Sequence, residues 1–504
     1  MEKSKFGTLI QSLIIALIVV FAFQFFFHRG EKKEENLKEP TAVVKPADVP
    51  SSKEIGKVVT VQTPLYEAKI SLVNGKLIEL DVKKYNAQLV SPVSKELGVY
   101  PLTTVATDGQ LSEELARVKL QPSADGLKEE GDGYALAVND GPKTLLLKGT
   151  LPDGRTFEKS LTFYPSSYRI DFKASVNGSS QGLQTVVGPD IKVNEAHTSR
   201  MGHIGPVLET EDKVIRLNPE EIKGFMTFNR VLWAGEEDKY FLMAVKHRDY
   251  TAAVEKVGPK DTLVRNFVGG GIFYGGPKEL HQLEPLGMDS AIDFGIFGFL
   301  AKPLLKFFLF LHRFVPNWGL DIILFVLIIK ILLHPLAHKS YVSMKKMQEL
   351  APRLEEIKKK YGNDPQKLQE ETMKLYQEVG VNPASGCLPM LLQIPIFFAL
   401  YEIFLNAVEL KGASFLWVKD LSQPDHTYLL PILMGLSMIL QQLLTPTANK
   451  QQRNIFIAMA VIFTVMFATF PAGLVLYWLT NNLITAVQNF VILKLIEKKE
   501  GAAK

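Results

Sequence analysis

The sequence predicts a polytopic α-helical membrane protein that carries a large all-β domain. Three observations predict it. Apolar runs long enough to cross a bilayer occur at the N-terminus and repeatedly beyond Gly287, whereas Val58 to Pro285 reads as short alternating strands and turns. The chain has 504 residues and is 47% hydrophobic, with a mean hydropathy of +0.08. That is high for a soluble chain and low for one wholly in lipid. Finally, Lys and Arg are distributed unevenly between successive loops, in the alternating sense that orients membrane helices.

The first segment, residues 1–28, holds an almost unbroken apolar run from Phe6 to Phe27, preceded by Lys3 and Lys5. It ends in Phe25, Phe26, Phe27, His28 and Arg29, without the small-x-small pattern of a cleavage site. The run of about 20 residues is long enough to span, so it reads as a retained anchor. Residues 29–57 are rich in Lys, Glu, Pro and Ser and poor in large apolar side chains. Such a stretch buries too little surface to offset its ordering entropy and reads as a flexible linker.

Residues 58–285 form the β-domain. Tyr66 to Val73 alternates, Asn74-Gly75 supplies a hairpin turn, and Ile78, Leu80 and Val82 alternate with Glu79 and Asp81. Pro152-Asp153-Gly154 and Asn177-Gly178 are further turn signals. A β-sandwich or a larger relative fits this size. His197, His203, His247 and His281 have no metal-ligand spacing. Gly269-Gly270-Gly271 and Gly275-Gly276 lack the following helix of a phosphate-binding loop and read as turns. An interaction or spacer domain is favoured over an enzyme.

Composition excludes further classes. A formal net charge of +4 on this length does not call for nucleic acid. One cysteine, Cys387, excludes an intrachain disulfide framework and a Cys-rich metal site. No Walker-type Gly-x-x-x-x-Gly-Lys-Ser/Thr run is present, so ATP hydrolysis is not expected. Nothing calls for a metal or a cofactor.

Residues 286–317 carry an amphipathic helix. Lys302, Lys306 and Arg313 fall within about 40° on a helical projection, opposite Leu300, Leu304, Phe307, Phe308 and Leu311. Three cations on one face make a poor span and a good interfacial helix. Residues 318–495 then hold five spans: Trp318 to Leu336, Leu388 to Val408, Tyr428 to Leu444, Ile455 to Phe470, and Gly473 to Leu493. The loop at 338–381 contains Lys339, Lys345, Lys346, Arg353, Lys358, Lys359, Lys360, Lys367 and Lys374 and is predicted to be cytoplasmic. The next loop has only Lys411 and Lys419 and falls outside. Lys450 and Arg453, and a basic tail at 496–504, fall inside. The N- and C-termini are thus cytoplasmic and the β-domain lies on the far side. Within 338–381, Tyr341, Met344, Met347, Leu350, Leu354 and Ile357 recur at helical spacing, Tyr361 to Pro365 breaks the pattern, and Asp364 is a candidate N-cap for a second helix. The loop reads as a helical hairpin.

Polar residues inside the spans are the candidate site. Lys330 lies in an apolar run about 18 Å along its helix from Trp318, where a cation costs about 2.5–3.5 kcal/mol on insertion scales. Snorkelling is the bland alternative. Tyr477, Asn481, Thr485 and Gln488 recur on one face of the last span, Gln393 lies within another, and His334 is one turn beyond Lys330. A polar stripe facing a lysine-bearing helix fits a hydrated groove better than isolated interhelical contacts.

The order of these elements, and the runs Asn382-Pro383-Ala384-Ser385-Gly386-Cys387-Leu388-Pro389, Gln393, Pro395-Ile396-Phe397, Ala399-Leu400-Tyr401, Pro431-Ile432-Leu433-Met434-Gly435 and Phe470-Pro471-Ala472-Gly473-Leu474-Val475-Leu476-Tyr477, resemble the YidC family of insertases from bacteria with two membranes. The resemblance covers essentially the whole chain, most firmly from Asp321 onward. It implies a periplasmic β-supersandwich, a five-span insertase core in the inner membrane, and a groove open to cytoplasm and lipid. It implies a positive charge that receives hydrophilic parts of substrates. Lys330 stands where the family usually has Arg, which keeps charge but not bidentate geometry. Trp478, a further groove position, stands where members often have Tyr. The implied partners are nascent membrane proteins, the lipid bilayer, the Sec translocon, and ribosome or targeting factors at the hairpin. No enzymatic activity is implied; the likeness of the β-domain to sugar mutarotases transfers none. Two other classes remain as alternatives: a small-solute transporter using Lys330, without visible internal repeats, and a tethered periplasmic sugar-modifying enzyme. Solute-flux and mutarotase assays separate them.

Overall fold

The computed structural model of the chain describes residues 48–191, 202–380, 388–445 and 450–502. The predicted anchor, the linker before residue 48, His197 and residues 382–387 lie outside these. The chain separates into a compact unit ending at Ile292 and another beginning at Asp293.

Two sheets build the first unit. The six-stranded sheet runs in the order Ala87–Gln88, Leu77–Val82, Tyr66–Ser71, Val58–Gln62, Gly133–Ala137, Lys128–Glu130. Its strands pair antiparallel except Val58–Gln62 with Gly133–Ala137. The hairpin expected at Asn74-Gly75 is present: both residues have positive φ (64° and 68°), and Ile70 pairs with Leu77. The twelve-stranded sheet has its centre in two long strands, Phe225–Glu237 and Phe241–Lys256, and continues through Gly270–Pro277, Arg169–Val176, Thr156–Phe163 and Lys143–Thr150. In Thr156–Phe163 alternate residues are buried, so the period of two appears directly. Tyr66 of the smaller sheet and Tyr168, just before the strand Arg169–Val176 of the larger, lie 6.1 Å apart. Leu80 packs at Gly275.

The glycines from Gly270 to Gly276 are not turns, as expected from sequence, but part of one strand. They permit close approach. A Cβ at Gly276 would stand 2.5 Å from the Tyr168 ring, and one at Gly275 would stand 2.6 Å from Leu80. Residues 48–57, assigned to the linker by composition, are already held by this unit. The Ser52 amide donates to Gly98 O (3.1 Å), the Ser51 hydroxyl to Leu97 O (2.7 Å) and Lys76 Nζ to Ser52 O (2.7 Å). Backbone hydrogen bonds hold what side-chain composition alone would leave free.

Lys159 is fully buried here. Its ammonium donates to Asn74 O (3.4 Å), to Thr104 Oγ1 (3.1 Å) and to Leu102 O. Burial pulls its pKa from 10.5 down to about 7. The unfolded chain therefore holds more protons between about pH 7 and 10.5, and stability rises as pH climbs through that window. Lys159→Met is expected to flatten this slope. It also strands the two carbonyls, at about 1–3 kcal/mol for a buried acceptor, so the loss is greater at pH 9 than at pH 6. Denaturant unfolding of the full chain in detergent, read by hydrogen exchange in Thr156–Phe163, checks this. Parallel pH profiles for the two proteins would refute it.

The second unit is helical: α1 (Gly298–His312), α2 (Trp318–Glu349), α3 (Ala351–Tyr361), α4 (Pro365–Val379), α5 (Leu388–Asn406), α6 (Leu429–Leu444), α7 (Lys450–Phe467) and α8 (Ala472–Ala502). Among the described residues, three helices are long and apolar enough to cross a membrane, Gly295–His312, Trp318–Glu349 and Ala472–Ile496; Gln393–Asn406, Leu429–Leu444 and Arg453–Phe467 are shorter apolar helices. In α1, Ala301, Leu305 and Phe308 are buried, with Phe308 stacked on Phe325 of α2 at 4.6 Å and near Phe404 of α5 at 6.1 Å. His312 closes the elbow to α2: its Nδ1 lies 2.6 Å from Asp321 Oδ2, and its ring stacks on Trp318 at 4.2 Å.

α2 continues past Pro335 and ends only at Glu349. Pro352, in the first turn of α3 where proline is tolerated, follows the break. The expected N-cap is present on α4, where the Asp364 side chain accepts from the Lys367 amide (3.1 Å). α3 and α4 lie side by side, with Leu375 buried and Arg353 Nη2 3.3 Å from Glu378.

Candidate functional site

α8 packs against both α2 and α6 and also touches α5. Its apolar length places it in the membrane-crossing class, so each polar residue along it must find a partner or water. In the stripe, Tyr477, Thr485 and Gln488 do so against two different helices.

Toward α2, Lys330 is half-buried and its Nζ donates to Thr485 Oγ1 at 2.8 Å. The Thr485 hydroxyl donates in turn to Asn481 O, one turn back (2.6 Å). Gln488 Nε2 reaches across to the backbone carbonyl of Lys330 (3.2 Å). Two turns of α8 thus grip one turn of α2 from both ends of the lysine. The partner of the ammonium is a hydroxyl. A hydroxyl can solvate an ammonium without neutralising it, as a carboxylate would.

Toward α5, Gln393 Nε2 donates to the Tyr477 hydroxyl. The neighbouring Trp478 turns to aromatic rings: it meets Phe397 edge-on at 5.1 Å and Phe467 at 5.4 Å. His334 is exposed on α2, with its ring 6.3 Å from that of His338. The structure therefore brings Lys330, Thr485, Gln488 and the Asn481 backbone into one cluster. It places Gln393 with Tyr477 in a second, Trp478 in an aromatic group, and His334 on an outer face.

Sequence reasoning missed a further polar track on α8. Asn482 Nδ2 donates to Ser437 Oγ of α6 (3.1 Å), both side chains being buried, and Asn489 Nδ2 donates to Thr445 Oγ1 (3.1 Å). Asn482 and Asn489 are seven residues apart, the spacing of one helix face. That repeat was the available signal. These bonds fix α6 to α8, so the helix facing Lys330 has a braced back.

Comparisons with known proteins agree along the chain. The family described as "60Kd inner membrane protein" matches residues 310–499, and "YidC periplasmic domain" matches residues 58–269. The chain is 34% identical over 516 residues to a membrane protein insertase YidC of Aquifex aeolicus (strain VF5), covering 97% of this chain and 96% of that one. A membrane protein insertase YidC of Geobacter metallireducens (strain ATCC 53774 / DSM 7210 / GS-15) is 36% identical over 497 residues, covering 91% and 90%. A crystal structure of an active YidC insertase with its first transmembrane domain resolved is similar at 24% identity and a TM-score of 0.40, covering 95% of this chain and 98% of that one.

Proposed function

The chain belongs to the YidC family of membrane protein insertases, and from that premise we propose that Lys330 is the charge that draws a hydrophilic substrate segment into the membrane beside α8. The protein is an inner-membrane insertase whose substrates are nascent membrane proteins and whose medium is the lipid bilayer. Its family is one of insertases rather than enzymes, and the chain itself acts by solvation and charge, without a covalent step.

The observation that carries this reading is the 2.8 Å bond from Lys330 Nζ to Thr485 Oγ1. A hydroxyl partner holds the cation in place and leaves its charge available to an acidic segment. The polar atoms of Gln393, Tyr477, Asn481, Thr485 and Gln488 offer hydrogen bonds where lipid offers none. They lower the barrier to a short polar stretch. The apolar flank of the substrate then partitions into lipid, and that transfer drives the step. The hairpin of α3 and α4 recruits ribosome or targeting factors, and the protein works alone or with the Sec translocon. A photo-crosslinking side chain at Thr485 is expected to capture a stalled nascent membrane protein, and one at Tyr361 to capture ribosomal protein, with or without the translocon present. Capture at the exposed His334 but not at Thr485 would overturn the substrate path.

The Lys/Arg bias of the loops supports a cytoplasmic hairpin, cytoplasmic termini and a periplasmic β-domain. It also supports an α1 that lies in the interface, five spans after it, and a sixth from the anchor. External protease on intact spheroplasts should cut only within 58–285. Cleavage between Ala351 and Val379 under those conditions would reverse the topology.

A further inference from the structure

The loop between α5 and α6, at the end of α2 opposite the α3–α4 hairpin, comes to an apolar point. Phe415 and Val418 exchange both backbone hydrogen bonds, each 2.9 Å, so Leu416 and Trp417 form a two-residue tip. Leu416 is 75% exposed and held at φ +52°. For a leucine that backbone region is unfavourable by about 1–2 kcal/mol. A strained, fully presented leucine beside an exposed tryptophan is a poor arrangement in water.

The base of the tip is fixed to three helices. Trp417 Nε1 donates to Asp425 Oδ2 (3.3 Å). The same carboxylate accepts from the Thr427 amide (3.0 Å), the Thr427 hydroxyl (2.7 Å) and the Leu430 amide in the first turn of α6 (2.8 Å). The amides of Ala472 and Gly473, at the start of α8, donate to Gln423 O and Leu421 O, both at 2.8 Å. Phe415 lies on Gly319 at the start of α2, where a Cβ would come within 2.1 Å of its ring. Exposed apolar side chains then continue from the tip down α6: Tyr428, Ile432, Leu436, Leu440 and Leu443. Their spacing of three or four residues marks one face, the face that a membrane helix turns to lipid.

We infer that the Leu416-Trp417 tip is inserted into the headgroup–acyl boundary of the leaflet opposite the hairpin, where it sets the depth of α2, α6 and α8 in the bilayer. Leucine contributes apolar area there, and tryptophan suits a boundary that is apolar on one side and wet on the other. The exposed Lys419 lies two residues past Trp417, within reach of lipid phosphates. Gly319 and Lys330 are eleven residues apart, about 17 Å of helix, so the depth of the tip fixes the height of Lys330. That last consequence rests on Lys330 being the substrate charge; insertion of the tip does not.

The test is a nitroxide at Leu416→Cys, in a Cys387→Ser background, in phosphatidylethanolamine–phosphatidylglycerol vesicles, beside one at Lys419→Cys. The label at 416 is expected to be reached by oxygen and protected from a water-soluble nickel chelate, at a depth of about 5–10 Å below the phosphates, whereas the label at 419 is reached by the chelate. Equal chelate access at both positions would overturn the inference. So would protection at 416 from both reagents, which means a second copy of the chain covers the tip. Native tryptophan gives an independent reading without a label. Lipids brominated near the headgroup should quench wild-type emission, and Trp417→Phe should lose that quenched fraction. Quenching unaltered by Trp417→Phe would also count against the inference. A lipid-inserted tip in a protein indifferent to the charge of Lys330 would leave the tip standing and remove only the substrate reading.

Discussion

Lys330→Glu is expected to reduce insertion of substrates with acidic translocated segments by at least about tenfold, a difference of about 1.4 kcal/mol. Two unit charges about 4 Å apart interact by about 4 kcal/mol at an effective dielectric near 20. Partial desolvation offsets some of that, and reversing the sign turns the remainder into repulsion. Lys330→Ala should fall between wild type and Lys330→Glu. Lys330→Arg should retain activity, since the charge is kept and the guanidinium can still reach Thr485 Oγ1, now 2.8 Å from the ammonium. Thr485→Val separates charge from hydrogen bond: it removes the hydroxyl and leaves the cation, so its effect should be small beside that of Lys330→Ala. Substrates with neutral segments should suffer least. The measurement is protease protection of reporter substrates at matched expression. Normal insertion of every substrate by Lys330→Ala would end the proposed mechanism.

The largest stability effect is expected at Glu237, whose side chain is fully buried in the β-unit. One carboxylate oxygen lies 2.8 Å from Arg216 Nε and the other 2.6 Å from Lys278 Nζ, and Lys278 is itself almost fully buried. Glu237→Ala removes the carboxylate that both cations share. Breaking a buried pair from one side costs about 3–5 kcal/mol, a large part of a typical domain's stability. The contrast is Lys69–Glu79, at 2.5 Å but with both side chains more than a third exposed. Glu79→Ala should cost no more than about 1 kcal/mol, because solvent already screens that pair. Denaturant midpoints of the two variants, read by hydrogen exchange in Phe225–Glu237, compare them directly. Equal losses would show that burial does not set the value of these pairs.

Elements governed by local pattern were legible in the sequence. The Asn74-Gly75 turn, the Asp364 cap and the apolar helices of the second unit each follow from a few adjacent residues. Features governed by distant neighbours were not. The glycines of Gly270–Pro277 read as turns because their reason for being small, Tyr168 and Leu80, is over a hundred residues away. The same holds at the site. Lys330 stood out as a charge in an apolar run, yet its bond to Thr485 joins positions 155 apart in sequence. A stripe at helical spacing shows which residues share a face, not which helix that face meets. Tyr477 turned to Gln393 while Thr485 turned to Lys330. Asn482 shares a face with Asn489, seven residues on, but that repeat does not show that the face meets Ser437.

The uninterrupted run of α2 has a mechanical consequence. Between Lys330 and Glu349 there is one continuous helix of about 29 Å, and the hairpin hangs from its far end. Pro335 provides no amide for the Ile331 carbonyl, so this rod has a softened point one turn beyond the lysine. No loop separates the hairpin from Lys330, so a displacement of the hairpin would be carried along α2 and would meet, at Pro335 and at the 3.2 Å bond from Gln488 to the Lys330 carbonyl, the two places where that helix is respectively loosened and held.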